Sequence, residues 1–393
     1  MDFALSDEQQ QILATVRKFV ERELMPLEAK VQSENVAGRV FPDKQTWLDL
    51  RAKAKEQGLW GLQVPAELGG ADLDAVTTMM ITMEQNRALV PFTFGGFVPE
   101  ALFTASQYIQ DKYLKPLLYE NKMFAAGISE PDAGSDATAI KTTAVKKGDK
   151  WVINGTKTWI SRGSELDVCL VLAVTDKEKG ARGGMTVFVV DRSMGFSVEP
   201  ITMMAPSMKG EPTPATLNFV DMEVPEENIL GEIGGGLRLL METIGVARLL
   251  AASAALGAAQ RLLDMAIEYA KIRKSFGQSL SEYQAIQWMI ADSAIELQSA
   301  KWLTLHAAWR HDNDKDTRYE QSLAKYAGTN AAWQVADRVL QIHGALGYTK
   351  DLPIERVMRH LRVFRIFEGS DEIMKRNAAR MLIDGRASVS NWD

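Results

Sequence analysis

A single carboxylate, Glu368, stands between an aromatic residue and a glycine near the C-terminal end of the chain. Before it, arginines recur at every third position in a helical pattern, at Arg356, Arg359, Arg362 and Arg365. After it, Ser370 can cap a new helix, and Asp371 and Glu372 suit the positive end of that helix. Glu368 is therefore predicted to lie at a sharp junction between two helices, as either a catalytic base or the ion-pair partner of an arginine.

Four other stretches carry groups that suit a ligand. The loop over residues 129–136 offers hydroxyl and backbone N–H groups. Trp159 beside Ser161 offers a wall for a flat heteroaromatic ring, and Arg273 and Lys274 at a helix end suit a phosphate. A glycine-rich helix end over 341–348 allows close backbone approach. Each stretch also has an ordinary explanation: a turn, a core tryptophan, or the end of a helix.

The composition excludes several classes of protein. With 46% hydrophobic and 24% charged residues, the 393-residue chain is typical of a globular protein of roughly two or three domains. Its net charge of −6 disfavours a nucleic-acid or membrane-surface binder. The single cysteine, Cys169, lies in an apolar run, and the four histidines show no metal-ligand spacing, so we expect no metal.

The same survey gives an expected location. No uninterrupted apolar run reaches ~18 residues, so we expect no membrane insertion. The N-terminus lacks the pattern of a signal peptide. We therefore expect a cytoplasmic protein, or one of an organelle matrix if a targeting segment has been removed.

Apolar periodicity divides the chain into predicted domains over 1–122, 123–230 and 231–393. The first is helical, with a capping box at Ser6 and Gln9 and further helices over 44–57 and 73–88. In the second, Asn154-Gly155 between two β-rich runs predicts a hairpin turn. The third has long helices over 237–270, 281–313 and 318–343 and a final helix after Ser370. The predicted fold class is α+β, mostly α: an N-terminal helical domain, a central antiparallel β-barrel domain and a C-terminal four-helix bundle.

In their order and spacing, these stretches resemble the motifs of the acyl-CoA dehydrogenase family, over nearly the whole chain. The resemblance implies an FAD cofactor, an acyl-CoA substrate and removal of two hydrogens between its α and β carbons. Glu368 matches the base that takes the α proton, while hydride passes to flavin N5. The backbone N–H of Glu368 matches a donor to the thioester oxygen. Some members place the base on the first bundle helix, where this chain has Ala247.

The resemblance also implies which residues bind ligands. The residues that match FAD contacts are Ser129, Trp159 and Ser161 around the isoalloxazine ring, Arg273, Phe276, Gln341 and Gly344 reaching the FAD of a neighbouring subunit, and Ser370 and Glu372. The residues expected on the substrate side are Ser135, Arg248, Phe367 and Gly369. A shared FAD implies a homotetramer or homodimer, and the family's role in fatty acid metabolism implies an electron-transferring flavoprotein as acceptor.

Several positions depart from the common pattern of the family. Phe367 stands where many members have Tyr, Glu372 where Gln is common, and Ala345 where a glycine is usual. The segment 203–210 lacks the usual glycine-and-arginine run. The acyl pocket is expected between the third helix and the loop over 91–97. These residues do not determine the length, branching or ring of the acyl chain.

Two alternatives stay open at this stage. The first is a flavoprotein of the same fold that acts as an oxidase or monooxygenase, and Glu368 argues against it. The second is a non-enzymatic, DNA-associated relative of the fold. The net charge of −6 argues against that alternative.

Overall fold

The computed structural model describes residues 4–37, 42–95, 98–120, 122–204 and 213–390. The helices are α1 (Asp7–Phe19), α2 (Glu28–Val36), α3 (Lys44–Glu56), α4 (Ala75–Gln85), α5 (Gln107–Ile109), α6 (Lys115–Tyr119), α7 (Gly236–Ile272), α8 (Gln284–Asp312), α9 (Arg318–His343), α10 (Ile354–Phe364) and α11 (Asp371–Ile383). The strands are β1 (Phe124–Gly127), β2 (Thr143–Lys147), β3 (Lys150–Ile160), β4 (Val168–Val174), β5 (Met185–Asp191), β6 (Ser197–Pro200), β7 (Ala215–Pro225), β8 (Ile229–Leu230), β9 (Lys274–Ser275) and β10 (Gln278–Ser279). Helices, then strands, then helices confirm the predicted fold class.

The first N-terminal helix begins at the capping residue that the sequence predicted. The side chain of Ser6 accepts a hydrogen bond from the Gln9 N–H at 3.1 Å, and the Gln9 side chain accepts one from the Ser6 N–H at 3.1 Å. This reciprocal pair confirms the capping box. α4 is shorter than the predicted 73–88, because Asp74 caps its first turn and the helix therefore begins at Ala75.

The central domain is one sheet in the order β6-β7-β3-β2-β4-β5-β8, with β1 paired to β4. Most pairs are antiparallel as predicted, but β1 runs parallel to β4, and β2 meets β4 in parallel at Thr143 and Val174. Both faces of β4 are covered, because its alternate residues enter different apolar clusters. That double burial explains the continuous apolar run around Cys169.

The predicted hairpin turn at Asn154-Gly155 was wrong. β3 continues through this pair, and its register against β7 shifts between Ile153 and Gly155, which is a β-bulge. The Asn154 side chain accepts a hydrogen bond from the Asp221 N–H at 2.8 Å. The turn between β2 and β3 contains Gly148, whose φ is +67°. The β2–β3 hairpin thus contains two glycines, Gly148 in the turn and Gly155 in the bulge. The sequence pattern assigned the turn to the wrong glycine.

α7 is the central helix of the C-terminal bundle and touches the N-terminal helices through glycine. A Cβ on Gly257 would lie 2.1 Å from the carbonyl oxygen of Met83, so the helix backbones are in direct contact there. Among the described helices, α7 alone is long and apolar enough to cross a membrane, and 56% of that apolar window is buried inside the protein. α8, α9 and α11 complete the predicted four-helix bundle, in which α9 packs against the other three.

Candidate active site

Glu368 lies in the short turn between α10 and α11, as the sequence predicted. Its φ is +52°, and that of Gly369 is +94°. Two successive residues in the left-handed region make a sharp reversal that a glutamate adopts only at a cost of roughly 1–2 kcal/mol. The side chain of Ser370 then accepts from the N–H of Ile373 and caps α11. The surrounding contacts must therefore hold this turn in place.

Two cations from neighbouring helices hold the base turn, Glu368-Gly369. Nε of Arg248, on α7, donates to the carbonyl oxygen of Glu368 at 2.9 Å. Nζ of Lys325, on α9, donates to the carbonyl oxygen of Gly369 at 2.7 Å. Burial lowers the pKa of Arg248, whereas the charge of Glu368 raises it. The turn is thus fixed to the bundle through consecutive carbonyl groups.

Three of the four arginines that precede Glu368 have definite partners elsewhere. Arg356 donates to the carbonyl oxygen of Leu89 at 2.9 Å. Arg359 forms an ion pair with Glu355 at 2.7 Å, and Arg365 forms one with Asp371 at 2.7 Å. The arginine run therefore fastens α10 and the start of α11.

The residues expected to line the acyl chain divide between two places. Phe367 is half-buried and its ring lies 5.0 Å from that of Phe364. Phe92 and Phe94 are buried, with ring centroids 5.9 Å and 5.3 Å from Phe19, so these two rings belong to the N-terminal core. Gly96 and Phe97 of the same loop lie outside the described residues, as does 205–210 of the unusual segment 203–210.

Ser129, Trp159 and Ser161 are brought together at the edge of the central domain. The carbonyl of Ser129 accepts from the N–H of Thr158 at 2.9 Å, which fixes the loop beside Trp159. Trp159 has φ +61° and is 61% exposed, although Ile160 next to it is buried. An exposed indole between two buried neighbours offers its face to a flat ring. The alternative of a core tryptophan is therefore wrong.

The loop that carries Ser135 interacts electrostatically with α11. Ser135 itself is exposed, and the charge of Arg376 contributes to keeping the pKa of Asp136 low, after the hydrogen bonds from Thr138. At the first turn of α11, backbone and Ser370 hydrogen bonds lower the pKa of Glu372. The 129–136 loop therefore lies within electrostatic reach of Arg376 on α11.

A second group of predicted FAD contacts lies far from the base turn. Phe276, at the tip of the β9–β10 hairpin after Arg273, is 99% exposed with φ +47°. Gln341 and Gly344 are exposed at the C-terminal end of α9. At 1.5 Å per residue, Gln341 lies about 24 Å along α9 from Lys325, which touches the base turn. One protomer therefore does not bring this group to Glu368.

The remaining candidate groups have structural surroundings. Cys169 is buried, and burial raises the pKa of its thiol to about 12, which leaves it protonated at neutral pH. His343 is buried, its Nδ1 lies 2.8 Å from the carbonyl of Val339, and its ring stacks on Tyr269. Within the ranges that the structure describes, no three His, Cys, Asp or Glu side chains form a group suited to a metal ion.

Comparison with known proteins decides the family. Models of the acyl-CoA dehydrogenase N-terminal, middle and C-terminal domains match residues 6–120, 125–216 and 234–383. The chain belongs to the acyl-CoA dehydrogenase family. It is therefore an oxidoreductase enzyme of a flavoprotein family whose members are named for CoA thioesters.

Two relatives and one solved structure illustrate the likeness. The chain is 35% identical to the mitochondrial short-chain specific acyl-CoA dehydrogenase of Mus musculus, over 94% of this chain and 89% of that protein. It is 35% identical to a subunit of the caffeyl-CoA reductase–Etf complex of Acetobacterium woodii, over 96% and 99%. The structure of a glutaryl-CoA dehydrogenase with glutaryl-CoA superposes with a TM-score of 0.86 at 32% identity, covering 98% and 97%.

The exposed residues fit the FAD that this family binds. The exposed indole of Trp159, with Ser129 on the adjoining loop and Ser161 in the turn directly after β3, suits an isoalloxazine ring with polar edges. The chain offers the second group, which includes Phe276 and Gln341, at a separate surface.

Sequence reasoning missed three side chains at this site. Lys325 touches the base turn from α9, and Lys157 forms a buried ion pair with Glu130 beneath Trp159 and Ser129. The lysines carried little signal in the sequence, because Lys157 stands between two threonines on β3, and Lys325 on α9 has polar or small residues one turn away on either side.

Proposed function

We propose that this enzyme oxidises an acyl-CoA thioester between its α and β carbons, with Glu368 as the base that removes the α proton. The observation that supports this most directly is the base turn itself. A glutamate is held at φ +52° by Arg248 and Lys325, which bond the carbonyls of Glu368 and Gly369. Such strain is kept where the surroundings enforce one geometry for one side chain.

The α C–H group is a weak acid, so the thioester oxygen must be stabilised as negative charge develops on it. The backbone N–H of Glu368 is the proposed protein donor to that oxygen. Carboxylate and N–H would then come from one residue, whose backbone is fixed by Arg248 and Lys325. Ser135 and Arg248 are the proposed contacts to the CoA part, and Phe367 and Gly369 flank the acyl group.

Ser129, Trp159 and Ser161 are the proposed wall for the isoalloxazine ring, with Ser370 and Glu372 as further contacts. When bound, FAD accepts the hydride that leaves the β carbon. Arg273, Phe276, Gln341 and Gly344 of a second protomer are the proposed contacts to the rest of the dinucleotide. Their distance from the base turn within one protomer supports this sharing.

The second protomer is proposed to dock on α8. Large apolar side chains recur on its exposed face every seven residues, at Trp288, Ile295, Trp302 and Trp309. A seven-residue repeat keeps side chains on one stripe of a helix, which suits a helix of another copy. We propose a homotetramer or homodimer. Light scattering would test it, and a monomer whose FAD content is full would contradict it.

We further propose an electron-transferring flavoprotein as the electron acceptor. One relative is named as a subunit of a reductase–Etf complex, and a similar solved structure, at 34% identity and a TM-score of 0.86, is described with the electron transferring flavoprotein of Acidaminococcus fermentans. The measurement is the rate at which an added electron-transferring flavoprotein is reduced during turnover of an acyl-CoA. Rapid hydrogen peroxide formation without it would favour an oxidase.

The base assignment is tested by anaerobic titration of the purified flavoprotein with a panel of straight, branched, dicarboxylic and aromatic acyl-CoAs. Loss of the visible flavin absorbance identifies the substrate. Glu368→Gln should keep the flavin spectrum and lose the bleaching. Glu355→Gln, which alters a carboxylate of the Arg359 ion pair on the preceding helix, is the matched control and should bleach normally. Bleaching at the normal rate in Glu368→Gln rules out this base.

A further inference from the structure

Lys325 is a buried ammonium whose charge has no part in the chemistry proposed so far. Its side chain lies on α9 among buried neighbours and has no exposed surface. Nζ donates to the carbonyl oxygen of Gly369 at 2.7 Å. An ammonium taken out of water is costly unless it is paired or hydrogen-bonded, so this contact is the reason that it can be buried there.

The charges around Lys325 come from three elements. Asp371 lies at the start of α11, Glu368 and Arg365 belong to the segment between α10 and α11, and Arg248 lies on α7. Burial lowers the pKa of Lys325 to about 8, while the two carboxylates raise it and the two arginines lower it. Lys325 is therefore mostly protonated at neutral pH and loses its proton in mildly alkaline solution.

Arg248 and Lys325 bind different carbonyl groups of the base turn. Arg248 bonds the carbonyl of Glu368, and Lys325 bonds the next carbonyl along the chain. Fixing both carbonyls fixes the peptide planes on either side of Gly369, and so holds one end of the backbone from which the Glu368 side chain extends. A misplacement of about 1 Å at a reacting group can cost on the order of 100-fold in rate.

We propose that Lys325 is a positioning residue for the base: its ammonium anchors the turn at Gly369, and its charge favours the ionised carboxylate of Glu368. The inference rests on the proposed function of Glu368. It extends that function by assigning the orientation and the acidity of the base to a residue of another helix. A cation close to a carboxylate stabilises the ionised form and so lowers its pKa.

The test compares Lys325→Met, which removes both charge and donor, with Lys325→Arg, which keeps both. For Lys325→Met we expect kcat to fall by on the order of 100-fold, with KM changed much less and FAD still bound. The acidic limb of the pH–rate profile should move to higher pH, because Glu368 loses its stabilising cation. Lys325→Arg should recover most of kcat and should lack any alkaline limb near pH 8 that arises from Lys325.

Lys375→Met is the matched charge control. Lys375 is an exposed lysine on α11, and its ammonium lies 4.6 Å from the ring centre of Tyr326, the residue after Lys325. This control should match the wild type in kcat and in pH profile. If Lys325→Met also matches the wild type in both, the positioning role is wrong. A loss that Lys325→Arg does not recover in any degree would equally overturn it.

A measurement that needs no catalytic turnover tests the role of Lys325 separately from the proposed function. Infrared difference titration of each protein against its own Glu368→Gln version reports the carboxyl pKa of Glu368 directly. Lys325→Met should raise that pKa. If no acyl-CoA bleaches the wild type, the proposed function fails, and the titration still decides whether Lys325 sets the state of Glu368. Should Lys325→Met not fold, Lys325→Gln carries the same comparison.

Discussion

Nζ of Lys157 lies 2.8 Å from Oε1 of Glu130, and the two side chains are 0% and 6% exposed. Lys157 also donates to the carbonyl of Ile128 at 2.9 Å, and Glu130 accepts from the N–H groups of Lys141 and Thr142. The pair joins β3 to two loop segments. Ser129 and Trp159, the proposed flavin contacts, are its close neighbours in the chain.

Breaking this pair should destabilise the central domain. Lys157→Met leaves a buried carboxylate without its ammonium, and such a change costs about 3–5 kcal/mol of unfolding free energy. Urea unfolding measures that loss, and the affinity of the apoprotein for FAD should fall with it. Lys150→Met is the control, because Lys150 pairs with Glu223 at 2.8 Å on the exposed surface of the same strand. It should unfold like the wild type, and an equal loss in both variants would contradict the special role of burial.

The same pair predicts a dependence of stability on pH. Hydrogen bonds from Lys157, Thr142 and Lys141 lower the pKa of Glu130 below its ordinary value near 4.5, against the opposing effect of burial. A carboxyl with a depressed pKa contributes stability above its unfolded pKa and loses it as pH falls through the folded pKa. The difference in unfolding midpoint between wild type and Glu130→Gln should therefore shrink from pH 7 towards pH 3. A difference independent of pH would contradict this origin.

The helices and the base turn were predictable because their signals are local. The capping serine Ser6, the apolar periodicity of α7 and the Glu368-Gly369-Ser370 turn act through neighbours in the chain. Asn154-Gly155 has the local signal of a hairpin turn too, but its conformation is decided by distant residues. Asp221 on β7 bonds Asn154, and β7 pairs with β3 on both sides of the bulge.

Two glycines of the β2–β3 hairpin should respond differently to alanine. Gly148 lies in the open turn, with φ +67° and nothing within 4 Å of an added Cβ, so Gly148→Ala should cost about 1 kcal/mol. At Gly155 the added Cβ would lie 2.4 Å from Oγ1 and 2.7 Å from Cα of Thr142. Gly155→Ala should cost about 1–3 kcal/mol more, measured by thermal unfolding. Equal costs would support the hairpin turn at Asn154-Gly155 instead of the bulge.

The contacts of Lys325 and Lys157 could not be predicted from the sequence, and the reason is physical. A lysine can bury its apolar stem in any regular element, and only the fold shows what its ammonium meets. Lys325 reaches Gly369, which is 44 residues away in the chain, and Lys157 reaches Glu130, 27 residues away. Contacts at such separations depend on how α9 and β3 pack, which no single stretch of sequence encodes.

We expect that Gly369 is required for two reasons: a larger residue would be crowded there, and its φ is positive. Gly369 and Gly385 flank α11 and have φ of +94° and +67°, but only Gly369 is crowded. An added Cβ there would lie 2.4 Å from Cε of Met374, which is fully buried. Gly369→Ala should therefore displace Glu368 and lower kcat by on the order of 100-fold. Steady-state rates with an artificial electron acceptor give the measurement.

Two further variants separate crowding from backbone strain at this turn. Gly385→Ala carries the strain of a positive φ without any close neighbour, so its kcat should equal that of the wild type. Met374→Ala combined with Gly369→Ala removes the obstructing methyl group and should recover at least part of the lost rate, because Glu368 can return towards its place. If the double variant is as slow as Gly369→Ala alone, the strained φ of Gly369, and not the contact with Met374, controls the position of the base.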